Sequence, residues 1–172
     1  EILFWIGCSG SFDDRAKKVT KAFVKILNKA NISYAILGKE ESCTGDPAKR
    51  SGNEFLFQMK AISNIEILNS YHVKKIITTC PHCFNTLKNE YPDLGGNYEV
   101  IHHTTLINNL VKDNKISISG GYYKGKKITY HDPCYLGRAN GIYEAPRDVI
   151  KKLDAELIEM KSCKSKSLCC GA

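Results

Sequence analysis

Short apolar runs alternate with amphipathic stretches along the chain, and turn residues punctuate them. The run Ile2-Leu-Phe-Trp-Ile6 stops at Gly7-Cys8, as a strand buried on both faces of a parallel sheet would. Residues 11–14 resemble a capping box, and Ala16, Val19, Phe23, Ile26, Leu27 and Ala30 recur behind it at helical spacing. Residues 32–37 read as a second strand, followed by a polar loop carrying Cys43-Thr-Gly-Asp-Pro47. Leu56, Met59, Ile62, Ile65 and Leu68 then predict one side of a helix. Residues 73–79 form a third strand, ending in Cys80-Pro-His-Cys83 and a short helix through Tyr91. A fourth strand is expected over 98–101 and a helix over 106–111. Strands alternating with helices predict an α/β fold with a mostly parallel sheet flanked by helices.

The pattern then restarts. Gly120-Gly121 makes a break, residues 127–131 read as a strand, and Asp132-Pro-Cys134 closes it. Residues 145–153 are helical in pattern, 157–160 form a strand, and Cys169-Cys-Gly171 occupies the loop that follows. Cys8 and Cys43 stand 35 positions apart, as do Cys134 and Cys169, and a shift of 126 residues relates the two pairs. The matched order of strand, cysteine, helix, strand and cysteine points to an internal duplication. The expected organisation is two pseudo-repeated units, 1–119 with a complete set of four cysteines and 120–172 as the beginning of a second unit. By the repeat, the CxxC of the second unit would lie beyond Ala172, so that unit is expected to be incomplete. The start at Glu1 rather than Met is read as the loss of something upstream.

Composition narrows the function classes. Of 172 residues, 42% are hydrophobic and 25% charged, ordinary values for a globular chain and unlike disordered or collagenous sequence. The uncharged stretch 2–12 is shorter than the roughly 18 apolar residues of a membrane span, and it lacks the flanks of a signal peptide. The net charge is +7, but the lysines come in ones and twos, which reads as solvated faces and not as a nucleic-acid groove.

Eight cysteines carry more information: Cys8, Cys43, Cys80, Cys83, Cys134, Cys163, Cys169 and Cys170. Disulfide scaffolds are small and loop-rich, whereas this chain has long amphipathic segments, so metal ligation or redox chemistry in a cytoplasmic setting is the better reading. In open α/β sheets, ligands collect outside the carboxyl ends of the strands, where loops distant in sequence converge. Cys8, Cys43, Cys80 and Cys83 thus form one candidate metal set, and Cys134, Cys169 and Cys170 part of a second. Converging thiolates suit an iron–sulfur cluster or tetrahedral zinc. Cys80-Pro-His-Cys83 opening a helix also suits a thiol–disulfide oxidoreductase, in which the helix N-terminus lowers a thiol pKa.

At Cys43-Thr-Gly-Asp-Pro, Cys80-Pro-His-Cys, His131-Asp-Pro-Cys and Cys169-Cys-Gly the chain resembles the cysteine-rich CCG-domain family. That family includes heterodisulfide reductase B subunits and the iron–sulfur subunits of glycolate and lactate oxidation systems. The resemblance implies two α/β units with [4Fe-4S]-type chemistry and electron transfer as part of a multi-component oxidoreductase. It implies a ferredoxin-like iron–sulfur subunit or flavoprotein as partner, and an indirect link to a membrane quinone that would place the chain peripheral to the membrane. It also assigns the seven cysteines as cofactor ligands, with a non-cubane cluster expected at the second site, where the Cys169-Cys170 pair is kept. Thr44 stands where the first pair would have its second cysteine; a hydroxyl is a poor iron ligand beside thiolate, which favours a four-thiolate cluster, or zinc, at the first site. Substrate or thiol chemistry is accordingly expected at the second site.

Other candidates have plainer readings beside the functional ones. His82 either tunes sulfur by hydrogen bonding or faces solvent. His102 and His103, adjacent on a strand, would point to opposite faces, so at most one would reach a site. His131 sits at the mouth of the second unit. Gly45, Asp46 and Pro47 read as turn residues, with Gly45 allowing positive φ, and Asp132-Pro133 likewise. Arg138 and Arg147 are read as surface charges, and Cys163 as a thiol outside both ligand sets. The zinc alternative amounts to an α/β interaction module without redox activity.

Overall fold

Two strands of the first unit are buried because each is an apolar run with a parallel neighbour on either side. β1 (Ile2–Trp5), β2 (Tyr34–Ala35), β3 (Lys75–Thr78) and β4 (Glu99–His102) form one sheet in the order β2-β1-β3-β4. Every pair is parallel: Ile2 lies opposite Tyr34, Phe4 opposite Ile77, and Ile77 opposite Ile101. Phe4, Trp5, Ile76, Ile77 and Thr78 are fully buried, so these central strands are covered on both faces. The computed structural model describes residues 2–118 and 121–171. The chain divides into two compact units, Glu1–His103 and Thr104–Ala172. Gly120 of the expected break, and the 119/120 limit itself, lie outside the described residues.

Helices fill the crossovers. α1 (Gly7–Phe12) and α2 (Asp14–Lys29) join β1 to β2; α3 (Asp46–Arg50) and α4 (Glu54–Ser70) join β2 to β3. α5 (Pro81–Asn85), a wide π turn over Thr86–Glu90 and a 3-10 turn over Tyr91–Leu94 lead to β4. The expected capping box at 11–14 is replaced by a different stop. Ser11 belongs to α1, and Asp13 caps α2, accepting from Ala16 N at 2.7 Å. β1, β2 and β3 are shorter than expected, most of all β2, an edge strand reduced to two residues with Ile36 exposed beyond it, and β4 is shifted by one residue.

The burial of α4 departs from the expected face. Leu56, Met59 and Ile62 are 41%, 54% and 45% exposed, whereas Phe57, Ala61, Asn64, Ile65 and Leu68 are buried. Apolar residues lie all around this helix, so periodicity does not choose a side. The polar loop ahead of it does, by hydrogen bonds to Asn64 described below.

His102 ends β4 and His103 opens α6 (His103–Lys112), so the two rings do not diverge as neighbours on a strand would. Their centroids are 4.3 Å apart, both are desolvated, and His102 Nε2 contacts the Thr79 carbonyl at 3.2 Å. Burial pushes His102 down to about 3, with the neighbouring ring adding to it, and burial alone takes His103 to about 4.

In the second unit, β5 (Lys127–Ile128) pairs in parallel with β6 (Glu156–Leu157) across α7 (Glu144–Lys152). Arg147, expected at the surface, is 1% exposed. Its guanidinium makes a two-pronged pair with Asp132 (2.7 and 2.8 Å), a second with Glu159 (2.6 and 2.9 Å), and donates to the Tyr143 carbonyl. Asp132 also accepts from Lys164 N at 2.6 Å, so this residue is an ionic anchor as well as part of a turn.

Two outcomes follow from these buried ionisable groups. Arg147→Ala leaves the Asp132 carboxylate buried without its cation and should destabilise the protein by about 3–5 kcal/mol in urea denaturation. The depressed histidine pKa values mean that the unfolded chain binds more protons than the folded one once pH drops below the ordinary histidine range. Stability should therefore fall as pH is lowered from about 6.5 toward 4, with a shallower decline in His102→Asn, as read from urea midpoints across that window.

Candidate metal centre

The connections after β1 and β3 leave their neighbouring strands in opposite directions: the chain passes from β1 outward to β2, and from β3 outward to β4. This divergence opens a crevice at the carboxyl ends of the sheet. A cavity of about 190 Å³ occupies it, and Cys8, Cys43, Cys80 and Cys83 all line it, together with Trp5, Gly7, Thr44, the Asp46-Pro47 step and His82. Three separate loops deliver the four thiols. Cys8 and Cys83 sit inside the short helices α1 and α5, not in the open loops the pattern implied, and Cys80 is the N-cap of α5.

Each loop is fixed by buried polar contacts. The Glu41 carboxylate accepts from Ile6 N at 2.9 Å and Gly7 N at 2.6 Å, tying the Cys43 loop to the turn that carries Cys8. Asn64 donates to the Cys43 carbonyl and the Tyr91 hydroxyl, both at 3.0 Å, and accepts from Ser42 at 2.9 Å. Tyr91 in turn donates to the Thr44 carbonyl at 3.1 Å. Asp46, nearly fully buried, faces His82 Nδ1 at 2.7 Å and Arg50 Nε at 3.2 Å, which holds the middle of the CPHC segment against α3. His82 is thus paired to a carboxylate and only one-third exposed. Gly45 has φ +88, and an added Cβ would stand 2.9 Å from Phe57 Cδ2; both backbone and packing require glycine there.

The thiols sense one another. A hydrogen bond from Cys83, opposed by burial and helped by the His82 and Cys83 amides at the start of α5, lowers Cys80 to about 6. Cys83 is pushed up correspondingly by its partner and by burial, and Cys8 is raised by desolvation and by Cys43. Cys80, at the helix N-terminus, is thus the more acidic thiol of the pair. Gly45 N–H donates to Cys43 Sγ at 3.5 Å, and Thr44 Oγ1 lies 3.9 Å from Cys83 Sγ. Among the described residues, no three Cys, His, Asp or Glu side chains meet closely enough to hold a single ion; the four thiols ring a cavity instead.

In the second unit, Cys134 is pushed up by burial and by Cys169, and Cys169 is lowered first by the Gly171 amide, which donates to its sulfur at 3.4 Å. His131 Nε2 contacts the Leu168 carbonyl at 2.9 Å, Ser167 Oγ donates to the Asp132 carbonyl at 3.3 Å, and Arg138 donates to the Ser167 carbonyl and hydroxyl. These contacts hold the exposed Cys169-Cys170 pair beside the Cys134 turn. Cys163 lies against Glu159. Gly171 has φ +84, matching Gly45 126 residues earlier, and Lys164 at φ +54 matches Gly38 at +62 in the same register. Both of the latter positions open 3-10 turns, Gly38–Glu40 and Lys164–Lys166. Sequence patterning had singled out none of Trp5, Glu41, Asn64 and Tyr91 as site residues, because their roles are set by neighbours tens of residues away.

Comparison with known proteins agrees with this architecture. A single family model, that of the CCG cysteine-rich domain, matches residues 2–88 and again 128–172. The chain is 50% identical over its whole length to EtfAB:quinone oxidoreductase of Syntrophomonas wolfei, covering 24% of that protein. It is 46% identical, again over its whole length, to the probable iron-sulfur-binding oxidoreductase FadF of Bacillus subtilis, of which it also covers 24%. The dihydromethanophenazine:CoB--CoM heterodisulfide reductase of Methanosarcina barkeri has a component that is 35% identical, with 100% of this chain and 43% of that component aligned. The chain thus spans about a quarter of the length of the first two relatives and under half of the third. With the family model covering most of its residues on both sides of the chain's middle, the chain belongs to the CCG cysteine-rich domain family.

Proposed function

We propose that the chain is the cluster-binding, electron-transfer part of an oxidoreductase of the heterodisulfide reductase or lactate and glycolate oxidation type. The observation that carries this reading is the convergence of Cys8, Cys43, Cys80 and Cys83, from three loops, on one cavity at the crevice between β1 and β3. Four thiolates lining one cavity fit a polynuclear cluster. The relatives named for iron–sulfur and quinone oxidoreductase activity support the same reading.

At the first site the four cysteines are the ligands of a [4Fe-4S] cluster, which supplies one-electron transfer when bound. Thr44 supplies a hydroxyl beside Cys83 in place of a fifth thiolate. The Gly45 amide directed at Cys43 and the start of α5 beneath Cys80 offset the negative charge of the sulfurs, and the buried wall of Trp5 and Thr44 keeps water away. The matching glycine turns, the matching 3-10 turns and the doubled family match support two repeated units, 1–119 and 120–172. Cys134, Cys169 and Cys170 then belong to a second cluster site of non-cubane type, the more exposed of the two and the one suited to substrate. A ferredoxin-like iron–sulfur protein or a flavoprotein supplies electrons, and a quinone pool takes them. No helix among the described residues is long and apolar enough to cross a membrane; attachment at a membrane through partners is part of the same proposal.

Protein purified without oxygen should carry iron and acid-labile sulfide in equal amounts, about four of each at the first site, with visible absorbance that dithionite bleaches. Cys80→Ser and Cys43→Ser should each lose most of that iron. Zinc without sulfide, or a Cys80–Cys83 dithiol that cycles in iron-free protein, would overturn the reading. Asn64→Ala removes the donor that fixes the Cys43 carbonyl and should cost about 1–3 kcal/mol in urea denaturation. It should also speed loss of cluster iron to a chelator.

A further inference from the structure

Trp5 closes β1 and lines the cysteine cavity, with no exposed surface. Its indole Nε1–H is buried and has no hydrogen-bond partner among the described residues. A buried donor left unpaired costs more than its bond would gain, and native structures rarely leave one without a reason. Other polar groups around the cavity have partners: Gly45 N–H and Thr44 Oγ1 meet cysteine sulfurs, and His82 meets Asp46. The position 126 residues later is His131, whose ring nitrogen contacts the Leu168 carbonyl at 2.9 Å. A ring N–H at this register is therefore spent on the cysteine loop in the second unit and left over in the first.

Resting on the cluster reading above, we propose that Trp5 donates its indole N–H to a sulfur of the group held by Cys8, Cys43, Cys80 and Cys83, and that this bond raises the group's reduction potential. Indole offers one donor and no acceptor, so its partner must be electron-rich; an anionic sulfide or thiolate is such an acceptor. Hydrogen bonds to cluster sulfurs stabilise the more negative, reduced state, which moves the potential upward. Gly7, at φ +79 beside Cys83 Sγ, keeps that part of the wall free of side chain, since an added Cβ would stand 3.4 Å from the sulfur. Trp5 is thus a tuning residue that leaves the ligand set unchanged.

Trp5 is the sole tryptophan of the chain, so its signals are unambiguous. Wild type and Trp5→Phe, which keeps an aromatic ring and removes the donor, are reconstituted anaerobically with iron and sulfide and titrated potentiometrically. The expected result is equal iron and sulfide content with a more negative midpoint potential in the variant. In wild type, the indole N–H band in ultraviolet resonance Raman spectra should shift to a hydrogen-bonded position on reconstitution. If both proteins load and share one potential, or if the wild-type band does not move on loading, the Trp5 bond is refuted and the cluster stands. If Trp5→Phe fails to fold, the wild-type band alone decides. If wild type takes up no iron and sulfide, both the cluster and the Trp5 bond fall.

Discussion

Parallel β1 and β3 are adjacent, buried on both faces, and followed by connections that run apart, and the rest of the first unit depends on that arrangement. Strands of this kind end together at one edge of the sheet, and only the residues just past their ends can fill the gap between them. Those residues are Gly7-Cys8 and Cys80-Pro-His-Cys83. The third contribution, Cys43, comes from beyond the short edge strand β2 and must be carried inward by a loop. A loop entering a buried crevice brings peptide groups that need partners: Asn64 and Tyr91 donate to the Cys43 and Thr44 carbonyls, while Glu41 of the same loop accepts from the Ile6 and Gly7 amides.

Those polar residues explain features that hydrophobic packing leaves unexplained. The exposed Leu56, Met59 and Ile62 are the consequence of turning α4 so that Asn64 reaches the Cys43 carbonyl. Phe57 packs on Gly45, whose left-handed backbone turns the chain from Cys43 into α3. The helix and the loop are therefore mutually constrained, and the thiol at Cys43 is presented by a rigid wall. At Cys80 and Cys83 the constraint takes an electrostatic form, with the two thiols hydrogen-bonded at the start of α5 and an Asp46–His82 pair behind them.

The two units use similar turns with different supports. Gly45 and Gly171 direct an amide at the sulfur two residues before them. Glu41 anchors the first cysteine turn by its carboxylate, while 126 residues later Ser167 bonds the Asp132 carbonyl and the Arg147 cluster provides the ionic anchor. Thr44 is buried where Cys170 is exposed. The residue after the second cysteine of each unit is thus enclosed in the first and open to solvent in the second.

The α/β class, the parallel strands and the family were legible in the linear order because they rest on local signals. Continuous apolar runs mark buried parallel strands, and the cysteine spacings carry the family signature. Element limits were less legible: Ser11 looked like a cap until Asp13 took that role, and β2 shrank because an edge strand keeps only the pairs its single neighbour offers. Arg147 and Asp132, read as a surface charge and a turn residue, form a buried ion cluster, and His102 and His103 stack where a strand pattern would separate them. Those outcomes depend on partners tens of residues away, which no window of sequence contains. Which residues form the wall around the cysteines, Trp5 and Asn64 among them, was decided only when the sheet brought distant loops to one crevice and each buried polar group had to find its partner there.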